Sequence, residues 1–286
     1  GTKLIVDGQE FTAGPTLSGS TAPVLYVDAN GQPAWVVKKG GAPKQNIAEN
    51  AAAKVLAAAS DFLPVNAPQS VLLPTGELIN QFVTGQTLDK LVKSGMTGGN
   101  VTRQARASLV IDSLLENWDF AGMSNDNLML AQGVMYHIDS GGTFNFRAQG
   151  KPKAYDAIPD SLFTLRTTQG SQFWKSAGEA ELRELYQDDM GAMVKNRAQL
   201  EREVNASQLP DEIKKTFSER LDVFEAVHRT LTGKLKGKPI SDWLDTQPNG
   251  DPPLLTWDAI DGIVQDSFNS AKKSSGLTPA QAVGSF

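Results

Sequence analysis

The chain has 286 residues, 40% hydrophobic and 21% charged, which places it among folded globular proteins and allows one large domain or two packed lobes. Its 27 Lys and Arg against 32 Asp and Glu leave a net charge of −5, the wrong sign for nonspecific nucleic-acid or anionic-membrane binding. With no cysteine and two histidines there is no basis for disulfides, thiolate or histidine zinc sites or a cysteine nucleophile, and no apolar run is long enough for a transmembrane segment, so a cytoplasmic location is expected.

Gly1-Thr2-Lys3 reads as a remnant ahead of the fold, so a removed targeting segment stays open. Leu17-Ser18-Gly19-Ser20-Thr21-Ala22 is a small-residue loop whose backbone N–H groups can approach an anion. Residues 24–28 and 33–38 form strands around Ala29-Asn30-Gly31-Gln32, where Asn-Gly suits the positive φ angles of a tight hairpin. Over 46–59 the alanine-rich sequence, with Ile47, Ala51, Val55 and Ala58 at helical spacing, predicts a helix laid on that hairpin. A second hairpin is predicted over 70–83 around Pro74-Thr75-Gly76-Glu77.

After the break at 94–100, Leu109, Val110, Leu114 and Leu115 mark an amphipathic helix over 102–115. A loop and a third hairpin reach Gly142. From Ala180 onward helical spacing dominates, through Leu182, Leu185, Met190 and Met193, then Ile213, Phe217, Leu221, Phe224 and Val227. The stretch 246–253 reads as a connector, and the tail after Ser270 as fraying. Trp118, Trp174, Trp243 and Trp257 are expected in the core or between lobes. The pattern predicts an α+β protein, with a sheet-and-helix lobe over 1–85 and a helical lobe over 86–286.

Phosphoryl transfer needs a hold on the nucleotide phosphates, a metal to neutralise them and a group to orient the acceptor hydroxyl. Lys38 ends an apolar strand, where its ammonium needs a phosphate or carboxylate partner, and Glu49 on the following helix offers the carboxylate. Asn127 and Asp139 stand at the two open ends of the third hairpin, an amide and a carboxylate able to meet around a hard cation such as Mg²⁺. Taken singly, each is an ordinary turn or strand-end residue. His137, beside Asp139 on an apolar strand, reads as structural.

Asn125-Asp126-Asn127-Leu128-Met129-Leu130, followed by His137-Ile138-Asp139-Ser140-Gly141-Gly142, resembles the catalytic loop and metal-binding segment of phosphatidylinositol kinases and HipA-type kinases, the atypical branch of the protein kinase superfamily. The resemblance spans about residues 15–150 and implies a two-lobed kinase-like fold that binds ATP and Mg²⁺. It makes Ser18, Gly19, Ser20 and Thr21 the phosphate loop, Lys38 the ATP lysine, Glu49 its partner, and Gln81, Phe82 and Val83 the hinge beside adenine. Asn127 and Asp139 become the metal ligands. The family's loop reads Asp-Arg-His with the metal Asn five positions after the Asp, whereas residue 122 here is Gly and the nearest upstream acid is Asp119. Asp119, in a longer loop, is taken as the catalytic acid beside Lys38 and Asp139. The other readings are that Asp126 serves, or that the domain is a nucleotide-binding pseudokinase acting as a scaffold.

Arg147, Lys151 and Lys153 lie where an activation segment runs and can meet the γ-phosphate or an anionic substrate. The resemblance favours a protein Ser/Thr as acceptor, in an effector- or toxin-like chain delivered into another cell; an anionic small molecule or lipid headgroup, as in a phosphoinositide kinase, is the alternative. A nucleic-acid partner is not expected.

Overall fold

Alternation of apolar and polar residues builds the first layer. In β1 (Lys3–Val6) Leu4 and Val6 face inward while Ile5 stays 66% exposed, and β2 (Gln9–Thr16) adds Phe11 to the same side. Asp7 and Gly8 between them both have positive φ, 50° and 78°, the condition of a tight mirror-image turn. Lys3 is the first residue of β1, so it belongs to the fold. The computed structural model describes residues 1–18, 22–121, 126–157, 159, 161–164, 171–174 and 177–235. Gly19, Ser20, Thr21, Trp243, Trp257, the 246–253 connector and the tail after Ser270 lie outside the described residues.

β3 (Val24–Val27), β4 (Pro33–Lys38), β5 (Ser70–Leu72) and β6 (Leu78–Gln81) complete an antiparallel sheet in the order β1-β2-β3-β4-β6-β5. At the Asn30-Gly31 turn only Gly31 has positive φ; Oδ1 of Asp28 instead caps the loop, accepting from the N–H groups of Asn30 and Gln32 at 2.8 Å each. A cluster of Leu4, Val6, Phe11, Tyr26, Trp35, Val37 and Ile79 fills one face, with Phe11 edge-on to Trp35 at 6.2 Å.

Helix α1 (Pro43–Ala59) starts on a proline and buries a face of Ala48, Ala51, Ala52, Val55 and Leu56. Those small side chains let it sit against β5 and β6 on one side and against the helical half on the other, so α1 shares its core with the later helices. The chain then crosses through β7 (Gln86–Thr87), which pairs with β8 (Leu128–Ala131), itself paired with β9 (Val134–His137). Gly85 packs so tightly on this sheet that a Cβ there would stand 2.3 Å from the Leu130 carbonyl oxygen. The third hairpin thus has a third strand that sequence periodicity did not show.

Helix α2 (Leu88–Lys93) is capped by Thr87, and α3 (Gly99–Leu114) buries Leu109, Val110, Ile111 and Leu114. The short α4 (Ser161–Thr164) and α5 (Ser171–Trp174) lead to α6 (Glu179–Arg183), a π-helical stretch Glu184–Asp189, α7 (Met190–Lys195), α8 (Arg197–Ala206) and the long α9 (Asp211–Leu235). Arg103 of α3 holds the buried Asp189 through two bonds of 2.7 and 2.9 Å. The molecule is α+β, an antiparallel sheet lobe followed by a helical lobe, and no helix of the described residues is long and apolar enough to cross a membrane. Trp118, expected in the core or between lobes, is 42% exposed, two residues after the chain leaves α3 through Glu116 in a left-handed conformation, φ 54°.

Candidate nucleotide and metal site

The last residue of β4, Lys38, turns its side chain under α1, where it is only 12% exposed. Its Nζ lies 2.6 Å from Oε1 of Glu49 and 3.2 Å from Oδ1 of Asp139. Burial works against the ammonium, but the charges of Glu49 and Asp139 outweigh it, and the Lys38 pKa is held above its ordinary value. Burial also pushes the Glu49 carboxyl upward, opposed by Lys38. The two directions compete for one proton, and the 2.6 Å contact to a doubly partnered ammonium supports the ionic form.

Helix α1 makes a second tie one turn earlier. Gln45 donates to the Gly141 carbonyl at 2.9 Å and to the Ala148 carbonyl at 3.3 Å, so the helix that carries Glu49 also grips the loop after Asp139. Asp139 closes that loop by accepting from the Gly141 N–H at 3.0 Å, and its side chain is half exposed. Across the hairpin, the Ile138 N–H bonds the Asn127 carbonyl at 3.0 Å, which sets Asn127 beside Asp139. The Asn127 amide donates to the Asp119 carbonyl at 2.8 Å, with the Asp119 carboxylate 3.4 Å away. Beneath them Asp112 meets Nε2 of His137 at 2.7 Å and the amide of Asn117 at 3.0 Å, all three buried, so His137 is a structural member of the floor.

A cleft of about 370 Å³ opens between the lobes, and Ser18, Lys38, Glu49, Gln81, Phe82, Val83, Asp126, Asn127 and Asp139 line it. The structure thereby brings together every described residue expected of the site, with Asp119 one contact behind Asn127. Gly19, Ser20 and Thr21 of the expected phosphate loop lie outside the described residues. Of the three cations in the 147–153 segment, Lys153 is committed to two backbone carbonyls, of Glu116 and Gly142, while Arg147 is exposed beside the Trp118 ring, 5.9 Å from its centroid. Sequence reasoning missed Gln45, which sits four residues before Glu49 on the same helical face.

The donor set can be tested against a magnesium ion. Among the described residues no group of three or more His, Asp or Glu converges. Oδ1 of Asp139 is engaged by Lys38 and Gly141, and the Asn127 nitrogen by Asp119, which leaves Oδ2 of Asp139 and Oδ1 of Asn127 as the oxygens for a cation. One carboxylate and one amide suit Mg²⁺, which takes its other ligands from phosphates and water.

No family model matches the chain, and no curated protein does. A solved structure similar in outline is that of the Helicobacter pylori proinflammatory kinase CtkA, at 13% identity and a TM-score of 0.43, over 90% of this chain and 96% of that one. At that identity the two chains share too little to transfer a residue role.

Proposed function

We propose that this chain is an ATP- and Mg²⁺-dependent phosphotransferase acting on a hydroxyl, with a protein Ser or Thr as the acceptor class. The observation that carries the reading is the Lys38 ammonium held between a buried Glu49 and the half-exposed Asp139 in a cleft that also contains Asn127. A fixed lysine aimed into a cleft supplies charge to nucleotide phosphates, and Glu49 keeps it extended. Gln81, Phe82 and Val83 line the cleft where an adenine would lie, Asn127 and Asp139 would hold the cation, and Asp119 would orient the acceptor hydroxyl. Bound Mg²⁺ supplies neutralisation of the phosphate charge. The HipA-type resemblance is the support for an effector- or toxin-like setting.

Intact-mass analysis of the protein and candidate acceptors after incubation with ATP and Mg²⁺ tests the reading, and α- against γ-labelled ATP separates phosphoryl from nucleotidyl transfer. Asp119→Ala is expected to lower transfer by about 10²–10⁴-fold while the thermal shift with ATP and Mg²⁺ persists. A nucleotide-induced shift with no transfer by the wild type would instead support a nucleotide-binding scaffold. No shift at all sinks both.

A further inference from the structure

We propose that Lys153 is a positioning residue, whose single ammonium ties the start of the Asp119 loop to the loop that follows Asp139 and so sets the separation of the two acidic arms of the site. The assignment of those arms rests on the phosphotransferase reading; the tie itself rests on geometry. Nζ of Lys153 donates to the carbonyl of Glu116 and, at 2.5 Å, to that of Gly142, while the Trp118 ring covers it with its centroid 4.9 Å away.

Both anchors are themselves fixed. Glu116 has its carboxylate taken by Arg220 of α9, by the Ser161 hydroxyl at 3.2 Å and by the Trp118 indole N–H at 2.5 Å, so the chain leaves α3 in one direction only. Arg220 is in turn locked by the carbonyls of Asp156 and Ser113, at 2.6 and 2.9 Å, and by the face of Tyr155 at 4.2 Å. On the other side Gly142 follows Asp139 by three residues; Thr143 closes the intervening turn onto the Ser140 carbonyl at 2.8 Å, and the Phe144 N–H reaches Leu115 at 2.7 Å. Alongside that Phe144–Leu115 backbone bond, Lys153 is a side chain that contacts both pieces.

Chemistry argues that this cation does more than fill space. Its direct hydrogen-bond partners are neutral carbonyls, and the Glu116 carboxylate, whose charge acts on it, already belongs to Arg220. Burial lowers its pKa to about 7, with Arg220 and Arg147 adding to the fall and Glu116 and Asp119 opposing it. An ammonium in such a place is unfavourable for folding compared with an apolar side chain of the same length, so its contribution lies in the bidirectional contact.

The test combines Lys153→Met, Lys153→Gln and Lys153→Arg, read by hydrogen exchange and by steady-state kinetics. In Lys153→Met, exchange at 117–121 and 140–143 is expected to rise about tenfold with the six-stranded sheet unchanged. The turnover number is expected to fall about tenfold while the KM for ATP stays within about twofold. Gln, one atom shorter, should behave in between and serves if Met prevents folding; Arg, with several donors, should restore most of both readouts. Unchanged exchange in those two segments, or a uniform rise across the molecule, overturns the tie whatever the activity shows. Localised exchange in a protein that transfers no phosphate would keep the tie and reject the phosphotransferase reading.

Discussion

Lys38 and Lys153 are both half-buried lysines that touch the loops of the candidate site, and their surroundings drive them apart. Lys38 meets two carboxylates and keeps its charge well past neutral pH; Lys153 meets two carbonyls, with the adjacent carboxylate pre-empted by Arg220, and is pushed down to about 7. Burial alone therefore does not decide the state of a lysine; the count of unclaimed negative charge around it does. The first environment suits a group that must present a constant charge to phosphates, the second a group whose work is done through hydrogen bonds.

Experiments that remove one partner at a time can break this contrast. Asp139→Asn should give the largest effect, a fall of about 10³-fold or more in transfer measured by single-turnover labelling, with little loss of stability because the side chain is half exposed. Lys38→Met strands the Glu49 carboxylate and should cost about 3–5 kcal/mol in urea unfolding, most of it recovered in Lys38→Met combined with Glu49→Leu, which stays inactive. Equal stability of the single and double variants would mean that the two charges are not coupled.

Arg220→Met is the matching experiment at the other pole. It uncovers the buried Glu116 carboxylate and should cost about 3 kcal/mol by the same measurement.

The pH dependence sharpens the contrast further. Because Lys153 has a folded pKa of about 7 against an ordinary 10.5, the unfolded chain binds the extra proton between those values. Stability should therefore rise with pH across that window by on the order of 1 kcal/mol per unit, remain flat below it, and lose this slope in Lys153→Met. Lys38, with its pKa raised, adds stability that is present below 10.5 and lost only as pH climbs past it, so it contributes no slope in the same window. Trp118→Ala should change stability least, by about 1 kcal/mol, since the residue is 42% exposed, although its indole bonds the Glu116 carboxylate and its ring covers Lys153.

Much of the site was legible because it is written in short local patterns. The strand ending in Lys38, the helix bearing Glu49 and the hairpin from Asn127 to Asp139 each carry their own periodicity or turn signal, and the fold had only to bring them to one cleft. The Asp7-Gly8 turn carried an equally good signal that was overlooked, and with it β1 and β2. Other features leave no local trace. Glu116, Arg220 and Lys153 are separated by up to 104 positions, as 220 minus 116, and only the packing of α9 against the end of α3 makes them neighbours. Trp118 was expected in the core or between lobes because its ring is large and apolar; its exposure comes just after a left-handed backbone angle at Glu116 that no side-chain pattern announces.

The crossing between the two lobes has a consequence for engineering. Residues 86 and 87 are a strand of the same small sheet whose hairpin presents Asn127 and Asp139, and Gly85 rides directly on the Leu130 backbone. The passage is thus a gear meshed with the floor of the cleft and not a flexible tether. Lengthening it by even one residue would shift the strand by half of its two-residue side-chain repeat against β8, so a chimaera that exchanges the sheet lobe should be joined before residue 85, leaving 85–87 with the hairpin they hold.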